Sequence, residues 1–181
     1  SIFDKNSYRI TNYQHEKETQ NSLTDNRIRV VYKDSGGIVW LASEAGVDKL
    51  FEQKNFKIYK NKPGDENSIP NGIVRSIFED NEGNIWVGII NEGLFKLNQT
   101  RDKITRFRHY PNSLSNLLGF YITSVFQDSE GIVWCGDWDK GLFRFYKESG
   151  NFKLIASTNN TNVKLTDTRI QFIKEASPGI L

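Results

Sequence analysis

The stretch Asp80-Asn81-Glu82-Gly83-Asn84-Ile85-Trp86 decides the fold of this chain, because closely related strings stand on both sides of it. The earlier copy is Asp34-Ser35-Gly36-Gly37-Ile38-Val39-Trp40, and the later copy is Asp128-Ser129-Glu130-Gly131-Ile132-Val133-Trp134. The tryptophans of the three copies are 46 and 48 residues apart. Repeats of this length are typical of β-propeller blades. The sequence therefore predicts an array of repeated units, and every candidate site has to be judged against the repeat.

Each unit contains four short runs of β-type composition, which predict a four-stranded antiparallel sheet. In the first unit the runs are 28–33, 39–43, 47–51 and 56–59. In the second they are 74–79, 85–88, 94–98 and 104–110, and in the third 122–127, 133–136, 142–146 and 152–155. Composition predicts a buried first strand and a third strand that alternates between core and water. No segment has a sustained helical period, so the predicted fold class is all-β, with propeller blades.

Polar turn formers around one aliphatic residue precede each unit and mark the blade boundaries, at Asn21-Ser22-Leu23, Asn67-Ser68-Ile69 and Asn112-Ser113-Leu114. The boundaries predict three complete blades, at residues 21–66, 67–111 and 112–160. Residues 1–20 have the pattern of the end of a blade, and residues 161–181 that of the start of another. These two partial units are complementary and could form a fourth blade, in one chain or between two chains. Self-association through open blade edges, as a homodimer, is therefore expected.

The aspartates, glycines and tryptophans of the repeat are predicted to be structural. In Asp-x-x-Gly, the carboxylate can accept a backbone N–H while the glycine adopts the positive φ of a tight turn. The pairs are Asp34 and Gly37, Asp80 and Gly83, and Asp128 and Gly131. Their spacing is not that of an EF-hand loop, so a metal role is not expected. Trp40, Trp86 and Trp134 are predicted to pack between blades, with each indole N–H bonded to backbone.

Charge and motif content argue against several classes of function. Lys and Arg number 24 against 22 Asp and Glu, so no overall field draws the chain to nucleic acid or anionic lipid. Basic residues alternate along outer strands, where they are predicted to protect sheet edges, at Lys54, Lys57, Lys60, Lys62, Arg101, Lys103, Arg106 and Arg108. Neither His15 nor His109 has metal-ligand spacing, and no catalytic motif is present. We therefore expect no nucleic-acid partner, metal, cofactor or enzymatic activity.

Cysteine and methionine usage adds two expectations. Cys135 is the one cysteine and directly follows Trp134, so it is predicted to be a buried, unreactive thiol. The chain contains no Met and no apolar run near the ~20 residues of a membrane span. We therefore expect a segment of a longer protein, in which any targeting or membrane-spanning segment would lie outside this chain.

Trp138 is the aromatic residue that departs from the repeat. It lies in Gly136-Asp137-Trp138-Asp139-Lys140, in the turn between the second and third strands, where the second unit has Ile90. An aromatic ring between two carboxylates can stack on a sugar face while the acids accept hydroxyl hydrogen bonds. Trp138, Asp137 and Asp139 are therefore the ligand-binding candidates. The alternative is that Trp138 is a rim or interface residue.

The string Ile85-Trp86-Val87-Gly88, followed by Gly93-Leu94-Phe95-Lys96-Leu97, resembles the two-component regulator propeller repeat. The resemblance implies the periplasmic sensor region of an inner-membrane hybrid two-component regulator, of the kind common in Bacteroides-type bacteria. It implies a non-catalytic segment that senses an oligosaccharide ligand and signals to a histidine kinase outside this chain. Two alternatives are a carbohydrate-active lyase or glycosidase on a propeller scaffold, and an architectural protein-interaction array.

Overall fold

The computed structural model describes residues 1–19, 22–50, 56–107, 121–156 and 164–181. Within these ranges the chain forms fourteen β-strands, and no helix occurs there. The strands form three four-stranded antiparallel sheets and one two-stranded hairpin. The predicted all-β fold class is confirmed, and each four-stranded sheet is one blade.

The blades follow one another along the chain, each in simple up-and-down order. The N-terminal hairpin consists of β1 (Ile2–Asp4) and β2 (Arg9–Thr11). The first blade contains β3 (Ile28–Lys33), β4 (Val39–Ser43), β5 (Val47–Leu50) and β6 (Phe56–Tyr59). The second contains β7 (Val74–Glu79), β8 (Ile85–Ile89), β9 (Gly93–Leu97) and β10 (Ile104–Phe107). The third contains β11 (Ile122–Gln127), β12 (Val133–Asp137), β13 (Gly141–Tyr146) and β14 (Asn151–Ala156).

The strand predictions agree closely with these bounds. The first strand of each blade matches its prediction at both ends, at residues 28–33, 74–79 and 122–127. The predicted runs 47–51 and 104–110 extend past the described residues, and Asn112-Ser113-Leu114 lies wholly outside them. In the other two polar connections Leu23 and Ile69 are buried, so each connection is anchored by its aliphatic residue.

The core lies between the blades, because the sheets stack face to face. Trp40 of the first blade belongs to one apolar cluster with Ile77 and Phe95 of the second blade. Trp86 of the second blade belongs to another, with Phe143 and Phe152 of the third. An aromatic side chain of this kind buries roughly 150–250 Å². These interblade contacts therefore hold the array together.

The indole N–H groups were predicted to bond to the backbone, and this prediction was wrong. Each donates instead to the aspartate six residues earlier, from Trp40 to Asp34 Oδ2 at 2.8 Å, Trp86 to Asp80 Oδ2 at 2.8 Å, and Trp134 to Asp128 Oδ2 at 2.7 Å. The other oxygen of each carboxylate accepts a backbone N–H of the turn, from Ile38, Asn84 and Ile132 respectively. One aspartate therefore joins the hairpin turn to the interblade core.

The glycines of these turns adopt the backbone conformation that the spacing requires. Their φ angles are +83° at Gly37, +76° at Gly83 and +80° at Gly131. An L side chain is strained in this region, whereas glycine is not. The tight turn therefore depends on glycine at each of the three positions.

The first strand is not the most buried strand of the second blade, and its third strand does not alternate as β13 does in the third blade, so these two predictions were wrong in part. All five residues of β8, the second strand, are buried. The third strand β9 is buried at every residue except Lys96, so it does not alternate between core and water. The first strand β7 exposes Arg75, because it is an edge strand of its sheet.

One arginine that was predicted to protect a sheet edge, Arg101, lies instead between blades. The Arg101 guanidinium is 5.5 Å from the centre of the Trp40 ring and 3.6 Å from Glu79. It therefore stabilises blade stacking. Arg106 lies on the edge strand β10 and contacts its own blade, where it donates to the Ser68 carbonyl oxygen at 2.9 Å. Lys54 and Arg108, from the same clusters, lie outside the described residues.

The second blade packs against another blade on both of its faces. Within the described ranges, the first and third blades each have one face that no complete blade packs against. One position of the first strand shows this difference. Its side chain is 65% exposed in the first blade, at Val31, but only 6% exposed in the second and third blades, at Ile77 and Val125. At the other end Trp134 is half-buried, whereas the equivalent Trp86 is buried. One blade face is therefore open at each end of the row.

The two partial units lie at opposite ends of this row. Tyr13, after β2, packs with Leu41 of the first blade. Ile173 lies beside the third blade, where its N–H donates to Ser124 Oγ at 3.1 Å. Residues 169–175 are not assigned as the predicted strand, although a Ser177–Ile180 bridge forms in the predicted hairpin. In the described residues the partial units do not combine, and a fourth blade shared between two chains stays a prediction.

Candidate functional site

Trp138 lies in the turn between β12 and β13. In an up-and-down sheet this turn is at the same end as the connection that enters the blade. In the third blade a hydrogen bond connects this turn to the entering segment, because the Trp138 N–H donates to the Tyr121 carbonyl oxygen at 2.9 Å. The centres of the Tyr121 and Trp138 rings are 5.8 Å apart. The two side chains form an aromatic pair at one end of the third blade.

The carboxylates beside Trp138 have different environments. Asp137 is fully buried and accepts backbone N–H groups from Asp139 at 2.8 Å, Lys140 at 2.9 Å and Tyr121 at 3.2 Å. Burial raises the pKa of Asp137, although these hydrogen bonds oppose the shift. Asp139 is exposed. The structure therefore brings Trp138 and Asp139 to the surface, whereas Asp137 shapes the turn and presents no free oxygen to a ligand.

A cleft of about 280 Å³ opens beside the aromatic pair. In the part of the chain that the structure describes, its walls are formed by the side chains of Arg75, Tyr121, Thr123, Trp138 and Gln171. The size is close to the lower end of the roughly 300–1,000 Å³ that is usual for small-molecule sites. Rings that can stack on an apolar face, next to hydroxyl, amide and guanidinium groups, suit a small polyhydroxylated ligand.

The polar wall of the cleft follows from the register of the repeat. One position of the first strand is occupied by Arg75 in the second blade and by Thr123 in the third. Gln171 occupies the same position in the segment that follows the third blade. The equivalence is shown by two interblade hydrogen bonds two residues further on, Val125 N–H to Ser76 Oγ at 2.9 Å and Ile173 N–H to Ser124 Oγ at 3.1 Å. Arg75 and Thr123 each stand at a register shift of their strand, and both line the same cleft as Gln171, so the three polar residues lie on one side of the array.

Sequence reasoning found Trp138 because it interrupts the repeat, and it missed the other four residues of the cleft. Arg75 and Thr123 stand within runs that composition predicts to be buried strands. A usable signal was present in the alignment of the first strands, where polar residues recur two positions before Ile77 and Val125. That signal becomes informative only when the blades are known to be neighbours.

Two larger cavities are weaker candidates. One, of about 410 Å³, lies on the open face of the third blade beside Arg144 and Tyr146. The other, of about 350 Å³, lies next to Trp86, where Lys147 is already paired with Glu82 at 2.6 Å. Neither lies where the repeat is interrupted, and we therefore take the cleft at Trp138 as the candidate site.

The described ranges contain no group of three His, Cys, Asp or Glu side chains arranged to hold a metal ion. His109 lies outside those ranges. A search of the same residues for a helix with the length and hydropathy of a bilayer span finds none.

Comparison with known proteins relates the repeat to a family and the fold to solved structures. The sequence profile described as "two component regulator propeller" matches residues 68–91. No curated protein matches the chain. Two similar solved structures are extracellular domains of B. thetaiotaomicron proteins described as hybrid two component systems. They have TM-scores of 0.73 and 0.71, identities of 18% and 19%, and cover 87% and 95% of this chain.

A virginiamycin B lyase from Staphylococcus aureus is also similar, with a TM-score of 0.52 and 18% identity over 72% of this chain and 41% of the lyase. The chain spans 22% of each of the two extracellular domains. At these identities the likenesses establish the fold, which is that of propeller blades. The segment 68–91, which matches the two-component regulator propeller profile, contains the cassette that recurs in all three blades.

Proposed function

We propose that this chain is part of the periplasmic sensor region of a hybrid two-component regulator and binds an oligosaccharide in the cleft at Trp138. The observation that carries the ligand proposal is the aromatic pair of Tyr121 and Trp138 beside polar side chains in one cleft. The propeller repeat and the extracellular domains that share the fold support the sensor assignment. The histidine kinase that receives the signal would belong to other parts of the parent protein.

The cleft is built from more than one blade, and this suggests how binding would be transmitted. Arg75 belongs to the second blade, Thr123 and Trp138 to the third, and Gln171 to the segment after it. A ligand that contacts all of them favours the arrangement of blades in which these contacts are best. Binding energy then shifts the population of blade arrangements, which is how a ligand biases a distant partner.

The test is isothermal titration of the chain with a panel of neutral and acidic oligosaccharides. Trp138→Ala is expected to weaken binding at least about tenfold, or ~1.4 kcal/mol, because it removes the stacking surface. Trp138→Phe is expected to retain most of the affinity, since it keeps an aromatic face. Tyr8→Ala is the control, because Tyr8 is an exposed aromatic residue in the N-terminal hairpin, outside the cleft.

The same titrations separate the competing functions. A sensor module returns each oligosaccharide unchanged, as product analysis by mass spectrometry would record. Shortened or unsaturated sugars would replace the proposal with a glycosidase or a lyase. Failure of every sugar to bind, or unchanged binding by Trp138→Ala, would refute the proposed ligand site and favour an architectural array.

A further inference from the structure

Arg75 is a cation without a partner in the candidate cleft. It is exposed on β7 and forms no ion pair with any carboxylate in the described part of the chain. The equivalent residue of the first blade is Arg29, which lies two positions before Val31 as Arg75 lies two positions before Ile77. Arg29 forms an ion pair with Glu44. The same strand position is therefore neutralised in one blade and left charged in the next.

The difference arises in the turn after the second strand. Glu44 directly follows Ser43, which pairs with Ile28, and Ile90 directly follows Ile89, which pairs with Val74. Ile90 thus occupies in the second blade the position that Glu44 occupies in the first. An aliphatic side chain cannot neutralise a guanidinium group. The second blade consequently presents Arg75 with its charge available to a ligand.

The third blade does not supply the missing carboxylate. Asp137 is buried, and both of its oxygens already accept backbone N–H groups. Asp139 is exposed on the turn but is not among the residues that line the cleft, and it makes no ion pair with Arg75. The other polar groups of the wall, the Thr123 hydroxyl and the Gln171 amide, carry no charge. Among the described residues, the lining of the cleft therefore has one formal charge, and it is positive.

We infer that the ligand of this cleft is an acidic oligosaccharide, whose carboxylate or sulfate group pairs with Arg75 while a sugar ring lies against Trp138. The inference rests on the proposed function, because it specifies the sugar that the same cleft would bind. A guanidinium group is planar and always charged, and its parallel N–H donors match the two oxygens of an anionic group. A neutral sugar would leave this charge unpaired.

The test uses titration calorimetry with two pairs of matched probes. The first pair is a tetragalacturonate and its methyl ester, which differ in the carboxylate charge. The second is a sulfated galactose tetrasaccharide and its desulfated form. We expect at least one acidic probe to bind about tenfold or more tightly than its neutral partner. That preference should decrease as salt is raised, because the pair is partly exposed. If the galacturonate pair shows the preference, the anionic group is a carboxylate, and if the sulfated pair shows it, the group is a sulfate.

Substitutions assign the preference to Arg75. Arg75→Gln is expected to remove the preference, so that the acidic probe binds no more tightly than its neutral partner. Arg29→Gln is the matched control, because it removes an arginine from the same strand position, where Glu44 already neutralises it. It should change neither affinity.

The outcomes separate this inference from the proposed function. Equal affinity for acidic and neutral probes, or a preference that persists in Arg75→Gln, would overturn the acidic ligand alone. Failure of all four probes to bind, or unchanged affinities in Trp138→Ala, would overturn the proposed binding site as well. Loss of both acidic and neutral binding in Arg75→Gln would assign Arg75 a structural role and would also overturn the inference.

Discussion

Gly88 and Ile122 are in such close contact that a Cβ atom added to Gly88 would lie 2.7 Å from Ile122 Cγ2. Gly88 is on the second blade and Ile122 on the third. Gly136 has the same relationship with Ile170, at 2.6 Å. Between the first and second blades the equivalent residues are Ala42 and Val74, which share one buried cluster. A larger residue on one strand is thus matched by a smaller one on the next blade.

Gly88→Ala is expected to destabilise the protein by about 1–3 kcal/mol, because the added methyl group overpacks a closed interface. The φ angle of Gly88 is not positive, so backbone strain does not contribute. In a chain of this length such a loss lowers the Tm by roughly 2–4 °C per kcal/mol. Thermal unfolding followed by circular dichroism measures it.

The double variant Gly88→Ala with Ile122→Val reproduces the pair formed by Ala42 and Val74 between the first and second blades. It should recover most of the stability lost in Gly88→Ala, which is a coupling between the two sites. Ile122→Val alone is the control and should lose about 0.5–1.5 kcal/mol. Additive losses in the double variant would show that the contact does not determine the choice of glycine.

Asp80 and Asp128 make the same hydrogen bond in different surroundings. Trp86, the partner of Asp80, has 1% of its surface exposed, whereas Trp134, the partner of Asp128, is half-buried. Asp80→Ala leaves a buried indole N–H unsatisfied, at a cost of about 1–3 kcal/mol. In Asp128→Ala water can replace the carboxylate at the indole. Both variants also lose the turn cap. Asp80 in addition accepts the Asn84 side-chain amide at 3.0 Å, so both variants are compared in an Asn84→Ile background, which gives this turn the isoleucine found at Ile132.

Urea unfolding of the two variants tests this difference. We expect Asp80→Ala to lose at least about 1 kcal/mol more of the free energy of unfolding than Asp128→Ala. Equal losses would mean that the aspartate acts through the turn alone and that the bond to tryptophan adds little.

The strands and turns could be predicted from sequence because their signals are local. The Asp-x-x-Gly spacing specifies a tight turn, and the apolar runs that flank it specify the paired strands. The acceptor of the indole N–H was missed, although it lies only six residues away, because a backbone partner was the general expectation for a buried indole. Its identification required the side-chain directions across the hairpin.

The remaining errors concern contacts between blades. Arg101 looks like an edge-strand cation in sequence, and only the stacking of blades places it over Trp40. The cleft unites Arg75, Trp138 and Gln171, which are far apart along the chain. Trp138 was predictable because it breaks a repeat. Arg75 was not, because its significance depends on the absence of a neighbouring carboxylate.

Cys135 is expected to be unreactive in the native protein. The side chain is fully buried, and burial followed by the charge of Asp137 raises the pKa of the thiol well above its usual range. Reaction with Ellman's reagent at mildly alkaline pH should be at least ~1,000-fold slower than in denaturant, because labelling requires an opening of the blade interface. Cys135→Ser should give no signal under either condition. Rapid labelling of the folded chain would contradict the buried assignment.

Asp48 is a carboxylate where the other blades have phenylalanine. It pairs with Leu41, as Phe95 pairs with Val87 and Phe143 with Cys135. It is fully buried, and its Oδ1 accepts the Thr24 N–H at 3.1 Å. Oδ2 has no hydrogen-bond partner in the described part of the chain. Burial raises the pKa of Asp48, against the opposing effects of the Thr24 hydrogen bonds and of His15.

This shift predicts the sign of a pH effect on stability. A carboxyl whose pKa is raised by folding stabilises the protein fully below its ordinary pKa of 3.8, and the contribution is lost as the pH rises through the folded value. Asp48→Asn cannot ionise, so its free energy of unfolding should increase relative to wild type as the pH rises from about 3 to about 8.

Urea unfolding at several pH values measures this difference, with Asp102→Asn as the control. Hydrogen bonds from Thr100 and Asn98 lower the pKa of Asp102, so the Asp102→Asn variant should gain relative to wild type as the pH falls. Opposite slopes for the two variants are the expected result. A difference between Asp48→Asn and wild type that does not change with pH would mean that Asp48 remains ionised in the fold, with water reaching Oδ2.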